Sequence, residues 1–260
     1  MDTLTEFIFL FVVATAGGVL NVTISGAWFI VFPGLIYRGL QPVPGTATTT
    51  LILWSGFVAT SNAVRKGYEV SAAQFRYMVL ACASGGILGA VLLVAFPHRV
   101  FETVAPYLLL CSYVLLVFYE RIFNYVQSIA ADRPSFDYSH RTLIPLFLLG
   151  IYGGYFGAGM GMVIFILYRL YGIKNNDTLE ALAKVLVSIN NGIALIIFIY
   201  SGLIFWPFAL VMIVGSILGG YLGMTYVKKI NTKAIKKVMV VVGAVVSLYF
   251  LNLINFNILQ

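Results

Sequence analysis

Charged residues are scarce in this chain, and that scarcity determines its class. Only 10% of the 260 residues are charged, 61% are hydrophobic, and the mean hydropathy is +0.97. An average soluble domain has roughly 25% charged residues. Because a water-soluble fold cannot bury this much apolar surface, most of the chain must be surrounded by lipid. The composition therefore predicts an integral membrane protein.

The chain also lacks the motifs of common enzyme classes. It has no HExxH zinc motif, no Walker A phosphate loop and no GxSxG nucleophile elbow. Its two cysteines, Cys82 and Cys111, fall inside apolar segments without CxxC or metal-ligand spacing. His98 and His140 lie in a short gap and in a polar stretch, as solvated residues do. We therefore expect no enzyme, no cofactor and no metal site.

Two further features are missing. Despite a net charge of +7, no continuous basic face exists, because the lysines and arginines stand in short gaps between apolar runs. Membrane topology requires that distribution, so nucleic-acid binding is not expected. No Asp lies within an apolar segment and every Glu is near a segment end. A relay of buried acids, common in proton pumps, therefore has no candidate.

What the chain does have is a series of apolar segments, at 4–37, 47–64, 73–96, 100–128, 141–171, 181–200, 203–227 and 234–257. A membrane span needs about 20 residues, so most of these are single crossings. Segments 4–37 and 141–171 are too long for one span. Glycine and small polar residues interrupt them at 17–26 and 150–161. We expect each long segment to be a broken helix.

An internal repeat relates the two broken segments. A shift of 136 residues places Gly17-Gly18 on Gly153-Gly154, and a shift of 130 places Gly86-Ile87-Leu88-Gly89 on Ser216-Ile217-Leu218-Gly219. The first repeat is then 1–128, the polar linker 129–140, and the second repeat 141–260. Two homologous halves with broken segments at equivalent positions are typical of secondary transporters.

The basic residues favour inverted repeats. If each broken segment is a re-entrant hairpin that returns to its own side, only Arg38 and Arg99 lie on one face, and the other 14 of the 16 lysines and arginines lie opposite. If all segments simply cross, the division is ten against six. The positive-inside rule favours the hairpins. The fold class expected is therefore all-α, with two inverted repeats, each a broken hairpin plus three transmembrane helices, and with both termini outside the cytoplasm.

The broken segments are candidates for substrate binding. Unwound backbone in a membrane is tolerated only where it is buried in protein or lines a wet cavity, and its free N–H groups suit an anion. The alternative is tight helix packing on small residues. The candidate residues in and beside the two breaks are Asn21, Ser25, Gly26, Trp28, Gly157, Gly159 and Gly161.

A second polar layer follows each hairpin. Its candidate hydrogen-bonding residues are Thr48, Thr49, Ser55, Asn190 and Asn191, and Lys184 could balance the charge of a bound anion. The 136-residue shift makes Thr48 equivalent to Lys184 and Ser55 equivalent to Asn191. Because Glu180 stands four residues before Lys184 on the same helix face, an ion pair with Glu180 is the alternative role for the lysine, as is snorkelling to the interface.

With the repeat in view, the sequence resembles the sulfite exporter TauE/SafE family, also called toluenesulfonate uptake permeases. The resemblance covers essentially the whole chain. Matching positions in the first half are Ala16, Gly18, Asn21, Ser25-Gly26, Pro33, Gly39-Leu40, Pro42 and Ala47-Thr48. The more specific second-half motif is present as Gly150, Tyr152, Gly154, Phe156, Gly157, Gly159, Gly161, Lys184-Val185 and Asn191.

The resemblance implies a carrier of small sulfur-containing anions, in the class of sulfite, sulfonates, sulfoacetate or thiosulfate. The first half departs from the family where Ala27 and Trp28 replace consecutive glycines, and Val187 replaces a motif Asn. We therefore expect a multi-pass transporter of the inner or plasma membrane with its site between the two halves. An anion channel of the same fold is the alternative. Substrate, direction, coupling ion and oligomeric state are left open.

Overall fold

The computed structural model describes residues 3–23, 26–60, 70–96, 98–130, 140–226 and 237–248. These residues are almost entirely helical, and no strand occurs among them. The helices are α1 (Thr3–Thr23), α2 (Trp28–Tyr37), α3 (Pro42–Thr60), α4 (Ala72–Ala95), α5 (His98–Ala130), α6 (His140–Tyr155), α7 (Met160–Leu170), α8 (Asn176–Tyr200), α9 (Trp206–Tyr226) and α10 (Lys237–Leu248).

Length and composition confirm an all-α membrane protein. Within the described part, α1, α4, α5, α8 and α9 are the 5 helices long and apolar enough to cross a membrane. Helix α3 begins at Pro42, five residues before the predicted segment. Proline suits that position because the first turn of a helix needs no N–H donor. Most of the predicted linker, 131–139, lies outside the described residues.

The first long segment is a helical hairpin. Helix α1 ends at Thr23 and α2 begins at Trp28, so the break falls inside the predicted stretch. The two helices run antiparallel: a Cβ placed on Gly34 would lie 2.8 Å from Val13 Cγ1. Arg38, just after α2, forms a 2.7 Å ion pair with Glu6 at the start of α1. The chain therefore returns to the level at which it began, as a re-entrant hairpin does.

The second long segment is also broken, between Tyr155 and Met160. Gly157 and Gly159 have φ angles of +84° and +76°, which glycine adopts without the steric cost of a side chain. Helix α7 then folds back. Its Tyr168 shares a buried cluster with Leu146, near the start of α6. The predicted break is thus confirmed here as well.

Two ends of the helix bundle can be defined from these contacts. At the α6 end, the buried cluster joins the starts of α4, α6 and α8 to the end of α7, through Met78, Leu146, Leu179 and Tyr168. At the α1 end, Phe7 contacts Phe208 near the start of α9, with ring centroids 6.3 Å apart. Helix α9 therefore starts at the α1 end and runs parallel to α1.

Each hairpin packs against a helix of the other half, and glycine permits the close approach. A Cβ on Gly219 of α9 would lie 2.0 Å from the backbone oxygen of Thr15 on α1. A Cβ on Gly89 of α4 would lie 2.1 Å from the backbone oxygen of Ile151 on α6. The predicted shift of 136 relates Thr15 to Ile151, and the shift of 130 relates Gly89 to Gly219, so the two contacts are equivalent in the repeat. This equivalence supports two repeats, whose inverted relation and boundaries stay predictions.

The predicted offset is wrong for α3 and α8. Asn190 Nδ2 lies 2.6 Å from a Cβ placed on Gly86, and Ser216 Oγ lies 2.3 Å from a Cβ placed on Gly56. Gly86 and Ser216 are equivalent, so Gly56 corresponds to Asn190, an offset of 134 rather than 136. Counted from its glycine pair, the second hairpin breaks four residues earlier than the first hairpin does. From the break to the following long helix, the second hairpin is two residues longer than the first. Together these two differences change the offset from 136 to 134.

Candidate binding cavity between the hairpin tips

A cavity of about 400 Å³ lies between the two hairpin tips and helices α3, α5 and α8. Both halves of the sequence contribute to it. Its lining residues are Asn21, Trp28, Thr50, Leu53, Trp54, Phe57, Leu116, Tyr119, Glu120, Phe156, Gly157, Gly159, Met160, Gly161, Met162, Phe165, Glu180, Ala183, Lys184, Val187, Ser188 and Asn191.

The cavity extends from the hairpin tips toward the α6 end of the bundle. Most of its residues on α8 belong to the half of the helix that starts at that end, and most of those on α3 and all of those on α5 belong to the later half of each helix. On the opposite side, buried aromatic rings fill the space. Trp28 stacks on Phe32 with centroids 4.2 Å apart and meets Phe156 at 4.3 Å. Phe156 in turn contacts Phe101 near the start of α5.

Helices α3 and α8 form two chemically unequal walls. At the 134-residue offset, each lining residue of α3 has a lining counterpart on α8: Thr50 has Lys184, Leu53 has Val187, Trp54 has Ser188 and Phe57 has Asn191. Helix α8 also contributes Glu180 and Ala183. The α3 wall is therefore mostly aromatic and aliphatic, whereas the α8 wall has an ammonium, a hydroxyl and an amide. Of these two walls, α8 therefore offers most of the polar contacts to a ligand.

The second hairpin tip presents backbone donors. The carbonyl oxygen of Ala158 accepts hydrogen bonds from Ser112 Oγ, at 3.1 Å, and from the Tyr152 hydroxyl. In a trans peptide the C=O and the following N–H point in opposite directions, so the N–H of Gly159 points away from these hydroxyls. Among the described residues, the N–H groups of Ala158, Gly159 and Gly161 have no hydrogen-bond acceptor. They stand at the N-terminus of α7, where the helix dipole is positive.

The first hairpin tip is more closed. A Cβ on Gly26 would lie 2.6 Å from Met239 Cε, so α10 covers this glycine. Asn21 lines the cavity and its Nδ2 donates to the backbone oxygen of Leu53 at 3.2 Å. Trp28 also lines the cavity, with 5% of its surface exposed. Ser25 lies outside the described residues.

The charged side chains of the cavity are Lys184, Glu180 and Glu120. Lys184 Nζ is ion-paired with Glu180 Oε1, four residues earlier on α8. The structure thus shows the ion pair that the sequence offered as one role of the lysine. The sequence predicted no relay of buried carboxylates, and Glu120 and Glu180 are exposed residues at the cavity rather than buried ones.

The sequence comparisons assign the chain to a family. The family described as sulfite exporter TauE/SafE matches residues 10–250. The chain belongs to the sulfite exporter TauE/SafE family. No solved structure matches it.

Individual relatives agree with the family. The chain is 26% identical over 239 residues to "Probable membrane transporter protein YfcA" of Escherichia coli strain K12, covering 92% of this chain and 87% of that protein. It is 25% identical over 236 residues to "Probable membrane transporter protein" of Haemophilus influenzae, covering 90% of each. This TauE/SafE protein is therefore a membrane transporter and not an enzyme.

The TauE/SafE glycine motif and lysine converge on the cavity. Of the residues predicted for binding, those that line it are Asn21, Trp28, Gly157, Gly159, Gly161, Lys184 and Asn191. The glycines form the second tip, and Lys184 and Asn191 lie on the facing α8 wall. The structure thus brings together both parts of the second-half family motif.

The other predicted residues that the structure describes do not line the cavity. Thr48 accepts a hydrogen bond from the Phe205 N–H at 3.1 Å, and Ser55 Oγ donates to the backbone oxygen of Ile52 at 2.8 Å. Asn190 Nδ2 donates at 3.1 Å to the backbone oxygens of both Cys82 and Gly150. Thr49 is fully buried and Gly26 is covered. In this conformation Thr48 and Asn190 bond to other elements of the bundle, and Ser55 bonds within its own helix.

Sequence reasoning did not find Tyr119, Glu120, Trp54 and Phe165 as cavity residues. They lie in apolar segments with no local signature of binding. For Trp54 and Thr50 a signal existed, because each is equivalent to a polar α8 residue once the offset of 134 is used. As for metals, the described residues contain no group of three or more His, Cys, Asp or Glu side chains that could hold an ion.

Proposed function

We propose that this TauE/SafE protein carries a small sulfur-containing anion, of the sulfite, sulfonate, sulfoacetate or thiosulfate class, through this cavity and across the inner or plasma membrane. One observation carries the proposal. Backbone N–H groups without acceptors, at the Gly157–Gly161 tip, and the ammonium of Lys184 line one cavity.

The chemistry of these groups suits an oxyanion. A sulfonate or sulfite group has several oxygens that accept hydrogen bonds at once, and an ionised acceptor makes the stronger bonds. The tip offers a positive helix end with several N–H donors, which is a common anion site. Ser188 and Asn191 add neutral donors on the α8 wall. Lys184 supplies charge once Glu180 no longer binds it.

The size and lining of the cavity favour a substrate with an organic part. Its volume of about 400 Å³ falls within the roughly 300–1,000 Å³ of small-molecule sites. Trp28, Trp54, Phe57 and Phe156 line it beside the tips. A bare sulfite ion would leave most of this aromatic surface without contact, whereas the body of a sulfonate would cover it.

The membrane orientation follows from the charges. If the two hairpins return to their own sides, the sequence puts 14 of the 16 basic residues on the side of the membrane toward which the α6 end points, and the positive-inside rule makes that side cytoplasmic. Both termini then lie outside the cytoplasm. The cavity extends toward the α6 end, so this conformation is the cytoplasm-facing one. The Trp28–Phe32–Phe156 aromatic group blocks the other side, which favours a carrier with alternating access over an open channel.

Isothermal titration of the purified protein with benzenesulfonate, sulfoacetate, thiosulfate and sulfite tests the proposal. We expect at least one of these anions to bind. Lys184→Ala should weaken the best ligand by roughly tenfold to a hundredfold, since a cation within about 5 Å contributes a few kcal/mol at an intermediate dielectric. The control is Lys237→Ala, which removes an exposed lysine outside the cavity. Equal affinities in the two variants would put the anion elsewhere.

A further inference from the structure

The balance of charge in the cavity opposes the anion that the cavity is proposed to bind. Among the described lining residues, Lys184 is the only cation, while Glu120 and Glu180 are both carboxylates. With all three ionised, the lining has a net charge of −1. Moreover, Lys184 is already neutralised by its ion pair with Glu180. An anion that enters therefore meets excess negative charge, unless one carboxylate is protonated.

The Lys184–Glu180 pair is placed so that it can open. The side chain of Glu180 is 57% exposed and that of Lys184 is 25% exposed, and both residues line the cavity. Two long side chains one turn apart on a helix make a weak pair in water, of roughly 0.3–0.5 kcal/mol. The carboxylate can thus leave the ammonium while the lysine stays in the cavity wall.

No other cation near the pair, in the part of the chain that the structure describes, can take over the role of Lys184. Arg169, on α7, donates to the backbone oxygens of Ile173 and Lys174, and to Asn176 Oδ1. Its guanidinium also lies 5.2 Å from the ring centroid of Phe123. On α5, two ionisable groups lie near the pair: Glu120, and the phenol of Tyr119, which lies within electrostatic range of both Arg169 and Glu180. On α8, Asp177 stands three residues before Glu180. A bound anion must therefore compete with Glu180 for Lys184.

We propose that Glu180 couples anion transport to protons. The substrate anion replaces the carboxylate of Glu180 on Lys184 Nζ, and a proton from the water at the open end of the cavity forms an O–H bond on the released carboxylate. Lys184 keeps its proton throughout. On the opposite side the anion leaves, Glu180 loses its proton to water, and the ion pair forms again. This inference rests on the proposed function, to which it adds the coupling ion.

The exchange has a definite electrical consequence. The empty cavity has a net charge of −1, and the cavity with one monovalent anion and one proton also has −1. Transport of a monovalent anion should therefore be electroneutral, driven by a pH gradient and unaffected by membrane potential. In Glu180→Gln, the empty cavity is neutral and the loaded one has a charge of −1. That variant should move the anion without a proton, and its flux should follow the membrane potential.

Proteoliposomes containing the full chain provide the test, with benzenesulfonate as probe because its sulfonate stays ionised. Three quantities are measured: anion uptake, the change in lumenal pH, and the effect of a potassium diffusion potential set with valinomycin. We expect one proton per anion and no effect of potential for the unmodified protein. For Glu180→Gln we expect at least a tenfold smaller proton flux per anion, with uptake that depends on the potential. Glu102→Gln, an exposed carboxylate outside the cavity, should behave like the unmodified protein.

Exchange of labelled for unlabelled benzenesulfonate, without any gradient, separates proton coupling from transport itself. It needs no net proton movement, so we expect it in both the unmodified protein and Glu180→Gln. Anion exchange in the unmodified protein, together with no proton flux during its net anion uptake, would overturn the coupling alone. A proton flux lost in Glu120→Gln but kept in Glu180→Gln would also overturn it. Absence of exchange in the unmodified protein would contradict the proposed transport of sulfonates, and with it the coupling.

Discussion

The indole nitrogen of Trp54 donates a hydrogen bond to the backbone oxygen of Ser188, across 2.9 Å. These two residues are equivalent at the 134-residue offset that relates α3 to α8, so the bond joins corresponding positions of the two repeats. A serine could not reach across this distance from α3. The bond therefore exists only because the repeats differ in sequence at the place where they meet.

Trp54→Phe should remove this bond while it keeps most of the ring packing. We expect the free energy of unfolding to fall by roughly 0.5–1.5 kcal/mol, the usual net contribution of one hydrogen bond. Thermal unfolding in detergent would measure the change. Trp206→Phe is the control, because Trp206 is 46% exposed. Equal shifts of the midpoint in the two variants would mean that the bond does not stabilise the α3–α8 contact.

Gly159→Ala should weaken anion binding, for a reason that lies in the backbone. The φ of Gly159 is +76°, and a Cβ there would have ordinary contacts, the nearest being Met162 Cε at 3.5 Å. An alanine in this left-handed conformation costs roughly 1–2 kcal/mol. Relaxation of that strain would turn the N–H donors of the tip. Titration with the best-binding sulfonate should show at least a tenfold loss of affinity.

Gly202→Ala is the matched control for this prediction. Gly202 has a φ of +68°, and a Cβ placed on it would have no described atom within 4 Å. It lies in the turn between α8 and α9, away from the cavity. The variant should lose a similar amount of stability and keep its affinity. If both variants lost affinity equally, the effect of Gly159 would be one of overall stability and not of the tip.

Gly219→Ala and Gly89→Ala should destabilise the protein to a similar degree. In each case the new methyl group would overlap a backbone oxygen, of Thr15 or of Ile151, and backbone cannot move aside as a flexible side chain can. We expect a loss of roughly 1–3 kcal/mol for each, as for other overpacked sites. Leu218→Ala, at a site 47% exposed toward lipid, is the control. A large loss in only one glycine variant would contradict the equivalence of the two contacts.

The membrane orientation can be tested with one added cysteine at a time in a Cys111→Ser background, in which the other native cysteine, Cys82, is buried. Lys174→Cys lies in the turn between α7 and α8, at the α6 end, and Ser201→Cys lies in the turn after α8, at the α1 end. Both positions are exposed. A membrane-impermeant maleimide should label Ser201→Cys from outside the cell and Lys174→Cys only after the membrane is opened. Labelling of both from the same side would contradict the two-hairpin topology.

The helices and their breaks could be predicted because they depend on local sequence. Long apolar runs specify helices in lipid, and a glycine such as Gly159 permits the left-handed turn at which one ends. The register between α3 and α8 could not be predicted in the same way. The two hairpins differ in length on each side of their breaks, and an ungapped shift cannot represent two opposite length changes.

The cavity residues were harder to predict because they depend on partners far away in the chain. Thr48 has a hydroxyl group, as expected of a binding residue, but its Oγ1 accepts a hydrogen bond from the N–H of Phe205, which is distant in sequence. Glu180 was expected only as an ion-pair partner of Lys184, because it stands near the end of an apolar segment. The earlier part of α8, helix α7 and the later half of α5 meet at the cavity, and this convergence is a property of packing that no single segment reveals.

The contact between Thr15 and Gly219 also bears on the order in which the protein is made. The two residues are 204 positions apart (219 minus 15), and α1 obtains its close partner only when α9 has entered the membrane. At roughly 5–20 residues per second, the ribosome needs roughly 10–40 s to synthesise that interval. Throughout this time the first hairpin must stay in the bilayer, or beside the insertion machinery, with its glycine face uncovered. A chain that stalls before α9 thus exposes an unpaired hairpin, a clear target for membrane proteases.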